Sequence, residues 1–228
     1  MNKLIVGNWK LNPLTAREAT DLARKINTVS KYEVVICPPT AFLEIVEVMH
    51  KGAQDVSPQI KGAYTGQVSA AQLASIGVKY CIVGHSERRA LGERDDAINE
   101  KIKSLLEYKI TPILCIGYGT TVGEDELEVM DVLGSQLRQD LNDVDSKKVV
   151  VAYEPVWAIG SGKPLTPEHA EQAALFINTK FNVKSVLYGG SVNSKNSESF
   201  LSQHNIGGLL VGGASLLPDD FNKIISGE

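Results

Sequence analysis

Charged and polar side chains follow short apolar runs, where they could act on a bound substrate. Glu154 ends the run Val149–Tyr153 and precedes a proline, which suits a carboxylate to be a general base. Of the four histidines, only His85 follows such a run, and a helix beginning at Ser86 would favour its neutral imidazole. Together the two groups predict proton transfer. The alternatives are a glutamate in a structural ion pair and a structural histidine.

A cation and two glycine pairs point to an anionic substrate. Lys10 follows the first apolar run. It could screen a phosphate and polarise a carbonyl oxygen, or form a Schiff base in an aldolase-like reaction, or simply be solvated. Gly189–Gly190 and Gly212–Gly213 follow the last two runs. Backbone N–H groups at glycines can approach an anion closely, so the pairs predict a phosphate site rather than simple turns.

These residues lie at the ends of strand-like segments, which alternate regularly with helical segments. The eight strand candidates are Lys3–Gly7, Glu33–Cys37, Gly52–Val56, Tyr80–Val83, Thr111–Ile116, Val149–Tyr153, Ser185–Tyr188 and Gly207–Val211. Near-continuous apolar strands separated by helices indicate parallel strands covered on their outer faces. The pattern predicts an α/β fold, a (β/α)8 barrel of eight parallel strands each followed by a helix, as a single domain over residues 1–228. An open doubly wound sheet is the alternative.

Local signals place several helices between these strands. Two capping boxes and one N-cap followed by proline mark helix starts, at Thr15 with Glu18, Ser69 with Gln72, and Thr166 with Pro167. Apolar residues at helical spacing predict a further helix over Phe42–Met49.

Composition excludes several classes of protein. With 23 basic and 27 acidic residues the formal net charge is −4, so neither a nucleic-acid partner nor a membrane surface is expected. No run approaches the ~20 apolar residues of a membrane helix, and the N-terminus lacks a signal-peptide pattern. Cys37, Cys81 and Cys115 lie far apart in apolar runs and are expected to be buried free thiols. The expected location is the cytoplasm.

No cofactor motif and no metal-ligand spacing occurs in the sequence, so neither a cofactor nor a metal is expected. The simplest chemistry for a base, a neutral histidine, a cation and a phosphate site is proton transfer beside the carbonyl of a small phosphorylated substrate. Two alternatives stay open, a Schiff-base aldolase that uses Lys10 and a phosphate-binding or partner-binding protein with a vestigial site.

Five motifs, in order and over nearly the whole chain, resemble the triosephosphate isomerase family. They are GNWK at Gly7–Lys10, VGHSERR at Val83–Arg89, AYEPVWAIG at Ala152–Gly160, YGGSV at Tyr188–Val192 and VGGASL at Val211–Leu216. The resemblance implies the family's barrel, often called the TIM barrel. It also implies an aldose-ketose isomerase that interconverts dihydroxyacetone phosphate and D-glyceraldehyde 3-phosphate through an enediolate, in glycolysis and gluconeogenesis.

The resemblance also implies roles for particular residues. Glu154 would move the proton between the two carbons, and neutral His85 would move protons between the two oxygens. Lys10 and Asn8 would offset the oxyanion charge, with Glu87 orienting the lysine. The remaining implied groups are the phosphate-binding N–H groups of Gly160, Ser191, Gly212 and Gly213, a lid over Pro155–Lys163, and Tyr188 and Ser191, which would hold that lid closed.

The family is usually a homodimer, which here would form through the loop Gln54–Gln67, with Thr65 reaching Asn8 and Lys10 of a second copy. The sequence departs from the family's usual pattern at a few positions. Asp55 replaces asparagine, Gln67 replaces an acid that pairs with Arg88 across the interface, Tyr118 replaces a glutamate that receives the Trp157 indole, and Pro164–Leu165 is an uncommon second hinge.

Overall fold

The computed structural model describes residues 3–26, 29–121, 126–156 and 165–227. Strands and helices alternate along them. The strands are β1 (Leu4–Asn8), β2 (Glu33–Cys37), β3 (His50–Ala53), β4 (Tyr80–Val83), β5 (Thr111–Ile116), β6 (Val150–Tyr153), β7 (Ser185–Tyr188) and β8 (Gly208–Val211). The α-helices are α1 (Ala16–Lys25), α2 (Ala70–Ser75), α3 (Ser86–Ala90), α4 (Asp95–Glu107), α5 (Glu126–Asp140), α6 (Pro167–Phe181), α7 (Ser197–Leu201) and α8 (Pro218–Ser226).

The eight strands form one closed parallel barrel in chain order. β1 pairs with both β2 and β8, with Leu4 opposite Glu33 on one side and Gly208 on the other. Because parallel neighbours need a crossover between them, the intervening helices cover the outside of the sheet. The barrel prediction is confirmed, and the open doubly wound sheet is excluded.

Side chains from alternate positions of each strand fill two separate apolar layers. Leu4 and Val6 of β1 point into the barrel, where they pack with Val35, Ile82 and Ile113. Ile5 of the same strand packs outward beneath the helices. Since both faces of most strands are buried, those strands read as continuous apolar runs rather than alternating ones. Both layers are therefore encoded in the same short segments.

The local helix signals are confirmed, with one exception. Both capping boxes form, and the Thr166 hydroxyl accepts the N–H of His169 at the start of α6. The helix expected over Phe42–Met49 is wrong, because only a 3-10 turn forms at Thr40–Phe42. The chain must start β3 at His50, so Leu43 reaches the core from a turn and Val46 from irregular backbone instead of a helix.

The third strand begins earlier than predicted. The expectation was Gly52–Val56, but β3 spans His50–Ala53. His50 and Lys51 carry no apolar signal, yet they pair with Val35 and Ile36 of β2. Pairing with an apolar neighbour therefore overrides the residues' own weak preference for strand.

The three cysteines are buried free thiols, as predicted. None of the helices in the described part of the chain is both long and apolar enough to cross a membrane.

Closure of the barrel leaves no room for a side chain at Gly208. A Cβ built there would lie 1.8 Å from the carbonyl oxygen of Leu4. We expect Gly208→Ala to lower the free energy of unfolding by about 3 kcal/mol, because the paired backbones of β1 and β8 must separate. Urea unfolding measures this.

The matched control is Gly134→Ala within α5. There the new Cβ would meet chiefly the flexible guanidinium of Arg138, at 3.2 Å. Alanine is the better helix former, so this variant should gain up to about 1 kcal/mol. Equal losses in both variants would contradict the packing argument.

Candidate active site

A cavity of about 210 Å³ opens at the carboxyl ends of the strands. The predicted site residues that line it come from five different strand ends and are Asn8, Lys10, His85, Glu154, Ser191, Gly212 and Gly213. Gly160 lies outside the described residues. Since these positions are as much as 205 residues apart in sequence (213 minus 8), only closure of the barrel brings them together.

Glu154 directly follows β6, and its carboxylate is almost completely buried. It is 2% exposed, and its backbone N–H donates to the carbonyl of Ile116 at 2.8 Å. The Ser86 N–H donates to Oε2 at 3.1 Å. Burial raises the pKa of Glu154, while His85, the Ser86 N–H and Lys10 act in the opposite direction. The carboxylate is therefore more basic than an exposed glutamate.

His85 caps the N-terminus of α3, and its hydrogen bonds indicate one tautomer. The backbone N–H of Glu87 donates to Nδ1 at 3.2 Å, so Nδ1 carries a lone pair. The proton of the neutral ring must then sit on Nε2, which lies 3.1 Å from Oε1 of Glu154. The imidazole thus presents an N–H donor to the cavity. Such a group can hydrogen-bond an oxygen of a bound substrate.

Lys10 is held at both its backbone and its ammonium group. Its φ is +52°, an uncommon conformation for a residue with a side chain. Its N–H donates to the Asn8 amide oxygen at 3.0 Å, and its carbonyl accepts from Gln54 Nε2 at 2.8 Å. Nζ forms an ion pair with Glu87 Oε1 at 2.5 Å. These contacts place one fixed positive charge at the cavity.

Gln54 and Glu87 form hydrogen bonds that hold Lys10 and His85 in place. Gln54 Nε2 also donates to the carbonyl of Cys37, so one amide connects the ends of β1 and β2. Sequence reasoning treated Gln54 only as the start of a loop and missed this contact. Its signal was an amide side chain directly after β3. Glu87 joins Lys10 to His85, because its carboxylate pairs with the lysine while its N–H bonds the imidazole.

The glycine pairs Gly189–Gly190 and Gly212–Gly213 have different surroundings. A Cβ at Gly189 would lie 2.9 Å from Glu154 Cγ, and one at Gly190 would lie 2.2 Å from the Tyr188 hydroxyl. This first pair therefore makes room for neighbouring side chains. At Gly212 the nearest atom is Lys10 Cε at 3.6 Å, and at Gly213 nothing lies within 4 Å. The second pair leaves its backbone open to an anion.

Tyr188 fastens the chain where the predicted lid ends. Its hydroxyl accepts the N–H of Leu165 at 3.0 Å, and its ring stacks on Phe200 with centroids 4.1 Å apart. Burial raises the pKa of Tyr188 to about 12, so the hydroxyl stays protonated at neutral pH. Of the predicted lid, residues 157–163 lie outside the described residues, as does Pro164 of the second hinge.

The departures at Asp55 and Gln67 lie beside a second cavity of about 340 Å³, which also touches Asn8, Lys10 and His85. Asp55 pairs with Arg88 Nε at 3.0 Å and with Lys101 Nζ at 2.6 Å. Burial raises the pKa of Asp55, and both cations lower it. Arg88 therefore has a carboxylate partner within its own chain.

The arrangement supports proton transfer beside a carbonyl. It combines a buried base, a neutral N–H donor, a fixed cation and an open backbone segment within one small cavity. In the described part of the chain, no cluster of three or more His, Cys, Asp or Glu side chains is placed to hold a metal ion.

Comparison with known proteins agrees with the chemistry that the site supports. The family described as triosephosphate isomerase matches residues 3–228. The chain is similar to the triosephosphate isomerase of Natranaerobius thermophilus, at 40% identity over 97% of this chain and 94% of that protein. It is also similar to those of Aquifex aeolicus, at 40% identity over 99% of both, and of Azoarcus sp., at 42% identity over 97% of both.

The buried carboxylate predicts a pH-dependent stability. Between the ordinary carboxyl pKa of 4.5 and the raised value, the folded chain binds a proton at Glu154 that the unfolded chain has lost. The contribution of Glu154 to the free energy of unfolding therefore declines as pH rises through that window. We expect the stability of Glu154→Gln relative to the native chain to increase from about pH 4 to neutral pH.

Urea unfolding at a series of pH values measures this difference. Glu107→Gln, which changes an exposed carboxylate at the end of α4, is the control and should show no such trend. If the difference in unfolding free energy between Glu154→Gln and the native chain does not vary with pH, the argument that burial raises the pKa of Glu154 is contradicted.

Proposed function

Because the chain belongs to the triosephosphate isomerase family, we propose that its barrel-end cavity carries out the family's reaction with Glu154 as the base. The activity is aldose-ketose isomerisation, in which dihydroxyacetone phosphate and D-glyceraldehyde 3-phosphate interconvert, in glycolysis and gluconeogenesis. The observation that carries the assignment is the buried Glu154 carboxylate, 3.1 Å from the Nε2 of His85.

The reaction begins with removal of a proton from the carbon next to the carbonyl. The Glu154 carboxylate takes this proton, and the electron pair of the C–H bond forms the enediolate. A raised pKa brings the base closer to the weak carbon acid and to the working pH, which favours the transfer. The negative charge now lies on the former carbonyl oxygen.

Donors that line the same cavity as the base stabilise that oxygen. The Nε2–H of His85 donates to it, and the Lys10 ammonium and the Asn8 side chain offset its charge. His85 gives its proton to this oxygen and takes one from the neighbouring hydroxyl, so the ring ends neutral. Glu154 then returns the first proton to the adjacent carbon, and the base is regenerated.

The phosphate group binds to the part of the cavity that is formed after β7 and β8. Gly212 and Gly213 supply open backbone there, and Ser191 lies beside them in the same cavity wall. Gly160 of the lid would add a further N–H, and closure of Pro155–Lys163 would exclude water from the enediolate. The Tyr188 hydroxyl bonded to Leu165 supports a fixed end for that lid.

The contacts of Lys10 disfavour the aldolase alternative. A Schiff-base lysine attacks as a neutral amine, whereas the Lys10 side chain forms an ion pair of 2.5 Å with Glu87. The alternative of a vestigial binding site is disfavoured because base, histidine and cation all line one cavity. We also propose a single domain over residues 1–228 and a cytoplasmic location, supported by the closed barrel and the three free thiols.

Glu154→Gln should lower turnover by roughly 10² to 10⁴, a typical contribution of a positioned acid-base group. A coupled spectrophotometric assay of glyceraldehyde 3-phosphate isomerisation measures it, with Glu107→Gln as the control at an exposed carboxylate. Normal turnover in the Glu154 variant would remove this residue from the mechanism. Borohydride trapping of a substrate adduct on Lys10 would instead favour the aldolase.

We propose that the chain forms a homodimer through the loop Gln54–Gln67. This loop borders the 340 Å³ cavity, which also reaches Lys10. Apolar side chains nearby are exposed, with Leu11 at 87% and Leu14 at 84%, and Tyr64 of the loop at 48%. Burial of this surface against a second copy would stabilise the pair.

Thr65→Arg should weaken this dimer, because it adds a long charged side chain at the tip that would enter the second copy. We expect a larger monomer fraction by analytical ultracentrifugation and lower specific activity at the same dilution. Ser202→Arg, a change at another exposed position just after α7, is the control and should leave the native assembly intact. A fully active native monomer at micromolar concentration would refute the proposal.

A further inference from the structure

Gln136 lies on α5, outside every motif of the sequence, yet its amide is bonded to the loop after β5. The Gly117 N–H donates to Gln136 Oε1 at 2.8 Å, and Gln136 Nε2 donates to the Tyr118 carbonyl at 2.7 Å. A single side chain thus satisfies a donor and an acceptor of adjacent residues. This fixes the loop where β5 ends and the sheet's own hydrogen bonds stop.

The fixed loop lies directly against the backbone of Glu154. A Cβ on Gly117 would lie 2.4 Å from the Glu154 carbonyl oxygen and 3.0 Å from its carbonyl carbon. Gly117 has a φ of +109°, which favours glycine. Its carbonyl accepts the N–H and the hydroxyl of Thr120, at 3.2 and 2.7 Å. Gly117 is therefore held on both sides while it touches the proposed base.

Among the described residues, the other backbone bonds near Glu154 lie on its N-terminal side. Its N–H bonds Ile116, and the preceding carbonyl, of Tyr153, accepts the Gly189 N–H at 2.8 Å. The next residue is Pro155, which has no N–H to give to a neighbouring strand. On its carbonyl side, Glu154 packs against Gly117. Displacement of the loop would shift the backbone that carries the carboxylate.

We propose that Gln136 is a positioning residue for the base, acting through Gly117, an inference that rests on the proposed role of Glu154. The phosphate end of the cavity is built after β7 and β8 and does not involve α5. Loss of the Gln136 amide should therefore reduce kcat, which depends on the placement of the carboxylate, and leave substrate binding nearly unchanged.

Three variants test this. Gln136→Met keeps the length of the side chain and removes both bonds, whereas Gln136→Glu keeps an acceptor for Gly117 and loses the donor to Tyr118. Gln139→Met, three residues further along α5, is the control, because among the described residues its amide bonds Ser135 of its own helix, at 3.4 Å. Steady-state isomerisation kinetics are measured beside the native chain and Glu154→Gln, with folding followed by circular dichroism and thermal unfolding.

We expect Gln136→Met to lower kcat roughly tenfold, with KM within about twofold of native. The kcat of Gln136→Glu should lie between those of Gln136→Met and the native chain. Inhibition by inorganic phosphate should not change, while the transition-state analogue 2-phosphoglycolate, which carries a carboxylate as well as a phosphate, should bind more weakly. Gln139→Met should match the native chain. If Gln136→Met does not fold, Gln136→Glu must show the same separation of kcat from KM.

A native kcat in Gln136→Met, with or without a lower melting temperature, would overturn the inference and leave a structural role only. An equal loss of affinity for inorganic phosphate would overturn it too, because the effect would then extend beyond the base. If the native chain itself does not isomerise triose phosphate, the proposed function fails. If the native chain isomerises triose phosphate and only Glu154→Gln is impaired, the proposed function stands and only the inference about Gln136 fails.

Discussion

Burial of the Glu154 carboxylate is the constraint on which the rest of the site depends. A carboxylate removed from water is costly unless hydrogen-bond donors meet it, and here the Ser86 N–H and His85 Nε2 do so, each at 3.1 Å. Both donors come from the start of α3, whereas the carboxylate comes from the end of β6. The barrel must therefore hold these two segments in register for the base to remain buried and basic.

The end of β4 is held by a buried arginine. Arg89 Nε donates to the carbonyl of Gly84, the residue before His85, at 2.9 Å, and Nη2 donates to that of Cys115 in β5 at 3.3 Å. Its charge is met by Asp140 at 2.7 Å and by Asp95. A rigid guanidinium can bridge two strands and two acids at once, which a lysine could not. The position of His85 thus depends on α4 and α5, although neither helix contributes a side chain to the cavity wall.

Charge is balanced locally around the second cavity as well. Asp55, Arg88, Glu93 and Lys101 form a closed set of two acids and two bases. Because Arg88 already has acidic partners in its own chain, a neutral Gln67 at the proposed interface would leave no unpaired charge at Arg88. The departures at Asp55 and Gln67 are therefore consistent with each other, and neither residue lines the cavity that holds Glu154.

The sequence by itself determined the closed barrel, most strand positions, the capped helices and the residues of the cavity. These follow from the period of apolar residues and from side chains whose chemistry is local, such as Thr15 with Glu18. Only the tertiary structure decided where β3 begins, since His50 enters the sheet by pairing with β2. It also decided that Gly189–Gly190 serves packing while Gly212–Gly213 stays open, and that Gln54 and Gln136 hold backbone near the site. Such contacts join residues far apart in the chain, and no spacing within the sequence encodes the distance between them.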